Sequence, residues 1–201
     1  MNIFLYDSTV KYDPKTKVND LIILLGPLTE IIHPPYINIS QTIRSSCKKT
    51  YIENNEITVI YNDFTNYKKY ILPINKKFKL SIIYIKIANQ HLFITYYIHL
   101  NCKSLFKLQT DLLYNVIEEH HIPYTDYIII SGNFGYNFYE NPGEISSLCD
   151  KIFCDIPRIF TDDKSILDKF IFIKKTNKIM TTNIHYKEDV CKYTFTKRSN
   201  V

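Results

Sequence analysis

Three residues whose side chains can transfer protons stand beside predicted strands or near the C-terminus. His99 follows an apolar run that begins at His91, Asp168 precedes the run 169–174, and His185 lies near the end of the chain. Histidine titrates near neutral pH, so two histidines can act as general acid and general base. Two of the three residues also have a plainer interpretation. His99 fits a hydrogen-bonded core histidine, and Asp168 fits a turn residue before a strand.

Apolar patterns predict the elements that position these residues. Short β-branched or aromatic runs predict strands, and two longer runs around Asn89-Gln90 predict a hairpin. Helical spacing of Leu105, Leu108, Leu112 and Val116 predicts a helix. The order indicates a mixed sheet with helices packed outside. The predicted strands are 2–6, 21–25, 57–61, 79–88, 91–98, 127–131, 169–174 and 190–196, and the predicted helices are 103–121 and, more weakly, 144–153.

The totals predict one domain over residues 1–201 in a reducing compartment. The 201 residues are 45% apolar and 22% charged, which are ordinary globular values. Four glycines form none of the glycine-rich phosphate loops, and no apolar run approaches the length of a bilayer span. The N-terminus lacks the pattern of a secretory signal, and five cysteines form an odd set. We therefore expect reduced thiols, and a location in the cytoplasm or nucleus.

The charge pattern leaves two interpretations open. The net charge is +5, carried largely by scattered lysine pairs such as Lys68-Lys69 and Lys76-Lys77. Such pairs are typical of a solvated surface, although a mild preference for polyanions also fits. His120-His121 lies at a predicted helix end. We interpret this pair as a cation that complements the helix dipole rather than as a metal site. Abundant Ile, Asn, Lys and Tyr without Trp is what an AT-rich coding sequence produces, as in a large DNA virus or an AT-rich parasite.

The order of motifs resembles the endonuclease/exonuclease/phosphatase superfamily, which includes deoxyribonucleases. In that family a strand ends in T-H-L, a helix carries R-x-x-Q, the next strand ends in G-D-F-N, a later strand opens with D-Y-I-F, and S-D-H lies near the end. The matching stretches here are Ile98-His99-Leu100, Gln109, Gly132-Asn133-Phe134-Gly135, Asp168 to Phe172 and Asn183 to Tyr186, with Phe4 to Asp7 and Leu21 to Gly26 on the N-terminal strands.

This resemblance implies a fold and a site. The fold is a four-layer α/β sandwich, reduced in size, with two facing mixed sheets and outer helices. Asp168 and His185 match the family's Asp–His pair, and His99 would contact the scissile phosphate. Asn133 and Thr161 would bind phosphate oxygens as neutral groups.

The sequence departs from the family at the metal ligands. The family holds Mg²⁺ through carboxylates, but Gly26, Asn133, Gly135 and Ile184 stand at four of the matching positions. Nearby carboxylates could compensate if the alignment is shifted. The weak candidates are Asp7 and Glu30, and the others near enough in sequence are Asp20, Glu188 and Asp189.

Three functions follow from these observations. The favoured one is a catalytically impaired member that binds a host protein or a nucleic acid. The alternative is a divergent phosphodiesterase or nuclease that uses His99, Asp168 and His185 with weakly held Mg²⁺ or no metal. The third is an interaction domain unrelated to the family.

Overall fold

The computed structural model describes most of the chain, in segments. Within them the protein is a mixed α/β structure with twelve strands and two helices. The described residues are 2–7, 21–25, 50–54, 56–61, 66–97, 102–135, 142–151, 158–161, 169–174, 180–187 and 190–197. The strands are β1 (Asn2–Asp7), β2 (Leu21–Leu25), β3 (Thr50–Asn54), β4 (Ile57–Tyr61), β5 (Asn66–Pro73), β6 (Lys79–Ile87), β7 (Gln90–Tyr96), β8 (Tyr127–Asn133), β9 (Arg158–Thr161), β10 (Lys169–Lys174), β11 (Met180–Lys187) and β12 (Val190–Lys197), and the helices are α1 (Lys103–Glu119) and α2 (Pro142–Lys151).

The strands form two mixed sheets. The larger has the order β3-β4-β2-β1-β12-β11-β9, and the smaller has the order β10-β8-β7-β6-β5. β1 pairs with β2 in parallel and with β12 in antiparallel, and β11 pairs in parallel with β9. In the smaller sheet β7 and β8 are parallel, while β5, β6 and β7 form an antiparallel meander. Consequently the C-terminal ends of β1, β2, β9 and β11 lie on the same side of the larger sheet.

Along the central strands β6, β7 and β8, both faces of the smaller sheet are buried. One face packs on the apolar side of α1, where Phe106, Leu113 and Val116 join Ile82 and Phe93 in one cluster. The opposite face is also closed to solvent. Its fully buried apolar residues on β6 and β7 are Ile83, Ile85, Leu92 and Ile94. β8 is buried along its whole length, which is typical of a central strand covered on both sides.

The two sheets meet near one end of β6. β3 and β4 of the larger sheet approach β6, and β4 also approaches β7. Ser81 of β6 donates a hydrogen bond to Glu56, which directly precedes β4. The apolar residues of β2 and β4 are buried as well. Those with described side chains are Leu21, Ile23, Leu25, Ile57 and Val59.

All eight predicted strands and both predicted helices are present, with ends shifted by at most two residues. The hairpin turn is Ala88-Asn89 rather than Asn89-Gln90, because Ile87 pairs with Gln90 and Ala88 takes a positive φ of 53°. The prediction of only eight strands was wrong, because β3, β5, β9 and β11 are also strands. No helix in the described segments is long and apolar enough to cross a membrane.

Candidate functional site

A row of polar side chains crosses the smaller sheet where β7 and β8 end. Asn133 pairs with Tyr96 of β7, and Tyr96 pairs with Ser81 of β6. Residues paired across neighbouring strands project from the same face, so all three lie on the face opposite α1. Two strand spacings separate Asn133 from Ser81, which is roughly 10 Å. The next row inward is mainly apolar, and we call these three residues the polar row.

Asn133 shapes the turn that follows β8. Its side chain is 6% exposed. Its Oδ1 accepts a hydrogen bond of 2.7 Å from the backbone N–H of Gly135, which takes a positive φ of 63°. Its backbone carbonyl accepts a second bond of 2.7 Å from the N–H of Tyr97. An asparagine that bonds a backbone N–H two residues on is a typical turn former. The side-chain oxygen matched to a metal-binding carboxylate therefore has a structural role here.

Gly132 allows β8 to approach β7 closely beside Asn133. A Cβ at this position would lie 1.8 Å from the carbonyl oxygen of Thr95. Its φ of 147° is also one that residues with side chains rarely adopt. The glycine of the G-x-F motif therefore has a steric reason in the sheet, and it fixes the position of the neighbouring Asn133.

Glu56 is a functional candidate that the sequence interpretation missed. Its carboxylate accepts the hydrogen bond from Ser81 and thus reaches the polar row from the larger sheet. β4 and β2 are antiparallel, with Ile57 opposite Leu25. In the sequence, Glu56 directly precedes Ile57 and Gly26 directly follows Leu25. Pairing the predicted strands 21–25 and 57–61 would have placed Glu56 beside the position where the family has its glutamate.

Three of the predicted site residues lie on strands of the larger sheet. Asp7 is the last residue of β1 and pairs with Leu25 of β2. Thr161 is the last residue of β9 and pairs with Tyr186 of β11, so the position of His185, one residue earlier, is on the other face of the sheet from the positions of Thr161 and Asp7. Because β1, β9 and β11 are parallel, these positions lie on the side of the sheet where the C-terminal ends of those strands meet. Glu56 precedes Ile57, which pairs with Leu25, the partner of Asp7. The Ser81–Glu56 contact therefore joins this side of the larger sheet to the polar row.

The other predicted residues lie outside the described residues. His99 follows the described Tyr97 by two positions, and Asp168 immediately precedes Lys169, which pairs with Asn133. Glu30 lies outside them too.

Gln109, matched through the family's helix motif, is 1% exposed on α1. Its Nε2 has no hydrogen-bond partner among the described residues.

A second polar cluster lies at the opposite end of the smaller sheet. Nε2 of His91 lies 3.0 Å from Oδ2 of Asp126, and Nδ1 lies 3.0 Å from the hydroxyl of Tyr84. A carboxylate accepts hydrogen bonds, so Nε2 donates to Asp126 and holds the pKa of that carboxyl below its ordinary value. His120 stacks on Tyr84 with ring centroids 3.7 Å apart. Burial lowers the pKa of His120, which disfavours its interpretation as a helix-end cation.

The described side chains do not fit the magnesium site that the resemblance implies. Mg²⁺ prefers carboxylate oxygens. Ser81, Tyr96 and Asn133 are neutral, and Glu56 is the one carboxylate among the described side chains at the polar row. Within the described segments, no three carboxylate, histidine or cysteine side chains gather in a way that could hold a metal ion.

Comparison with known proteins supports the fold. No protein-family model matches the sequence, and no curated protein matches it. Among solved structures, an endonuclease/exonuclease/phosphatase family protein from Leptotrichia buccalis aligns with a TM-score of 0.61 at 12% identity, covering 98% of this chain and 99% of that one.

Two further structures show the same likeness. D. rerio TDP2 complexed with a single-strand DNA product aligns with a TM-score of 0.59 at 12% identity, covering 98% of both chains. A mutant of beta toxin from Staphylococcus aureus with bound magnesium ions gives 0.63 at 8% identity, covering 98% and 99%. The chain therefore has the fold of these deoxyribonuclease-like proteins.

Proposed function

We propose that this chain binds a phosphodiester at the polar row and does not cleave it with a metal ion. In this proposal the two sheets face each other with the helices outside, and the ligand enters where β7 and β8 end. Asn133 and Thr161 contact phosphate oxygens, and His99 and Asp168 lie around them. The ligand belongs to a nucleic acid, and recognition of a host protein is the competing form of the same proposal.

The observation that carries this proposal is the geometry of Asn133. A carboxylate at the end of β8 would place negative charge beside a phosphate unless a cation lay between them. Asn133 is neutral, and its Oδ1 is directed to the N–H of Gly135. An amide side chain carries no negative charge, and its NH₂ group is of a type that donates hydrogen bonds to phosphate oxygens without a metal. This arrangement supports direct binding of an anion.

The named structures support the choice of ligand. The TDP2 structure holds a single-strand DNA product, so this fold accommodates a phosphodiester chain in at least that protein. The beta toxin structure holds magnesium ions, which the described side chains of this chain do not fit. The combination favours a phosphodiester ligand bound by neutral and cationic groups.

Binding of a thymidine dinucleotide, measured by calorimetry in EDTA, tests the proposal. The informative variant is Asn133→Asp, because aspartate can still accept the Gly135 N–H and keeps the turn. It adds one negative charge beside the phosphate, so we expect affinity to fall by about tenfold or more. The matched control is Asn115→Asp, the same change at an exposed site on α1, which should keep the wild-type affinity.

Two results would overturn this proposal. One is equal affinity of the wild-type chain and Asn133→Asp for the dinucleotide. The other is wild-type binding that needs Mg²⁺ and disappears in EDTA.

The position of Glu56 favours a second candidate function, the divergent phosphodiesterase. A carboxylate beside the polar row can accept a proton from an attacking water, with Ser81 orienting it through their hydrogen bond. In that case the wild-type chain cleaves an oligonucleotide, and Glu56→Gln abolishes cleavage while dinucleotide binding is retained.

A further inference from the structure

A long stretch of the chain carries lysines without any acidic residue. From Asn66 to Thr110 the sequence contains eight lysines and no aspartate or glutamate. The whole chain has 25 basic and 20 acidic residues, so the positive charge of this stretch is larger than the net charge of the chain, +5. The positive charge is therefore concentrated in the segment that builds β5, β6, β7 and the start of α1.

The strand register places part of this charge beside the polar row. Ile71 of β5 pairs with Ser81, and Lys79 pairs with Pro73. Lys79 lies two residues before Ser81 on β6, so it shares the face of the polar row and lies just beyond it. The turn that carries Lys76 and Lys77 joins β5 to β6 at this same end. The basic turn and the polar row are therefore neighbours.

The same face of β5 is open to solvent. Tyr67, Lys69 and Ile71 alternate along it, and each is exposed, Tyr67 by 50% and Ile71 by 43%. On the adjoining β6, Ser81 and Ile83 on this face are fully buried. β5 therefore extends beyond the part of the sheet that is covered. We call Tyr67, Lys69, Ile71, Lys76, Lys77 and Lys79 the β5 basic surface.

The lysines of this surface have no ion-pair partner in the described part of the chain. Lys68, on the other face of β5, binds Glu119 at 2.6 Å, and Lys103 binds Glu144 at 2.6 Å. Neither Lys69 nor the lysines around the turn has such a pair with a described residue. Glu56 is the one carboxylate among the described side chains at the polar row, so positive charge dominates this part of the surface.

The turn holds its lysines in fixed positions. Oδ1 of Asn75 accepts hydrogen bonds from the N–H groups of Lys77 and Phe78, at 2.8 and 2.9 Å. The N–H of Ile74 donates to the carbonyl of Phe78, and Ile74 packs against the core cluster. Because the turn is closed and anchored, a ligand that binds Lys76 and Lys77 need not order the backbone.

We propose that the β5 basic surface binds the backbone of a single-stranded nucleic acid whose phosphodiester enters the polar row. This inference rests on the proposed function, because the phosphodiester at the polar row is taken to belong to the same nucleic-acid strand. Lysines spaced along a surface contact successive phosphates, and Tyr67, which is 50% exposed on the same face, is of a residue type that stacks on bases. A membrane would require exposed apolar side chains at the basic end. The turn presents lysines there, while Ile74 and Phe78 are half-buried.

Fluorescence anisotropy with a labelled oligothymidylate of about 12 nucleotides tests this surface. The test variant is the double change Lys76→Glu with Lys77→Glu, and the control is Lys107→Glu, an exposed lysine of the same stretch on α1. We expect the double variant to weaken binding by about tenfold or more and to reduce the salt dependence by roughly 1.4 in log–log slope, because two phosphate contacts are lost. Lys107→Glu should bind within about twofold of the wild-type chain.

Three results separate this inference from its alternatives. Equal weakening in the double variant and in Lys107→Glu overturns it, because the charge effect is then not localised. Lysine-dependent binding to phosphatidylserine vesicles without oligothymidylate binding also overturns it, in favour of a membrane. If oligothymidylate binding depends on Lys76 and Lys77 while the wild-type chain does not bind the dinucleotide, the surface is supported and the proposed phosphodiester site is wrong.

Discussion

Single residues decide what the polar row can do. The motif order predicted that Asn133 and Gly132 would end a buried strand, and the structure has them there. The sequence did not reveal that Asn133 holds a turn, or that Glu56 reaches the same row from the other sheet. The contact of Glu56 with Ser81 joins segments 25 residues apart in the chain, and spacing within one segment cannot predict it. The bond between Asn133 and Gly135 is local, but the motif match had assigned the Asn133 side chain to phosphate.

At this scale the sharpest test of the site's framework is Gly132→Ala. The added Cβ would lie 1.8 Å from the Thr95 carbonyl oxygen, and the φ of 147° is strained for alanine. We expect the free energy of unfolding, measured with urea, to fall by roughly 3 kcal/mol or more. The comparison variant is Gly143→Ala on α2, where an added Cβ meets nothing within 4 Å. That variant should change stability by less than about 1 kcal/mol, and equal stabilities for the two variants would show that β7 and β8 are not so closely packed.

The elements differ in how well their sequences predict them. β2, β6, β7 and β8 were predicted because their apolar runs are buried. Three of the four strands that were missed lie at the edges of sheets: β3 and β9 at the two edges of the larger sheet, and β5 at an edge of the smaller one. An edge strand buries less of its surface, so its sequence lacks a continuous apolar run, as the exposed positions of β5 show. The missed edge strand β5 is also the one that carries the basic surface.

For α1, the predicted apolar stripe coincides only in part with the buried face, which can be tested: of Leu105, Leu108, Leu112 and Val116, only Val116 is buried. Leu113 is fully buried against the smaller sheet, whereas Leu108 is 42% exposed although it lies in the predicted stripe. Leu113→Ala should lower the free energy of unfolding by about 2–5 kcal/mol, because it leaves a cavity in the core. Leu108→Ala should cost less than about 1 kcal/mol. Urea denaturation distinguishes the two, and a larger loss for Leu108→Ala would mean that α1 is rotated about its axis.

At the scale of the whole molecule, the fold is shared with proteins that have hardly any of the same residues. Identities of 8–12% accompany TM-scores of 0.59–0.63 over nearly the full chain. The order of strands, the central buried β8 and the apolar face of α1 preserve the architecture, because a core requires apolar pattern and volume rather than particular residues. The proposed function rests on a few polar positions, and at such positions the sequence differs from the motifs of the family that it resembles. A single domain over residues 1–201 stays a prediction.

The most direct test of the central claim is cleavage of a labelled single-stranded oligonucleotide by the wild-type chain. Products are followed on a gel with Mg²⁺, with Mn²⁺ and with EDTA, using a sample that binds the dinucleotide. The proposed function predicts an intact strand in all three conditions, because a neutral asparagine stands at the end of β8 and Glu56 is the one carboxylate among the described side chains at the polar row. Metal-dependent cleavage by the wild-type chain that disappears in Glu56→Gln would contradict it and identify a divergent phosphodiesterase.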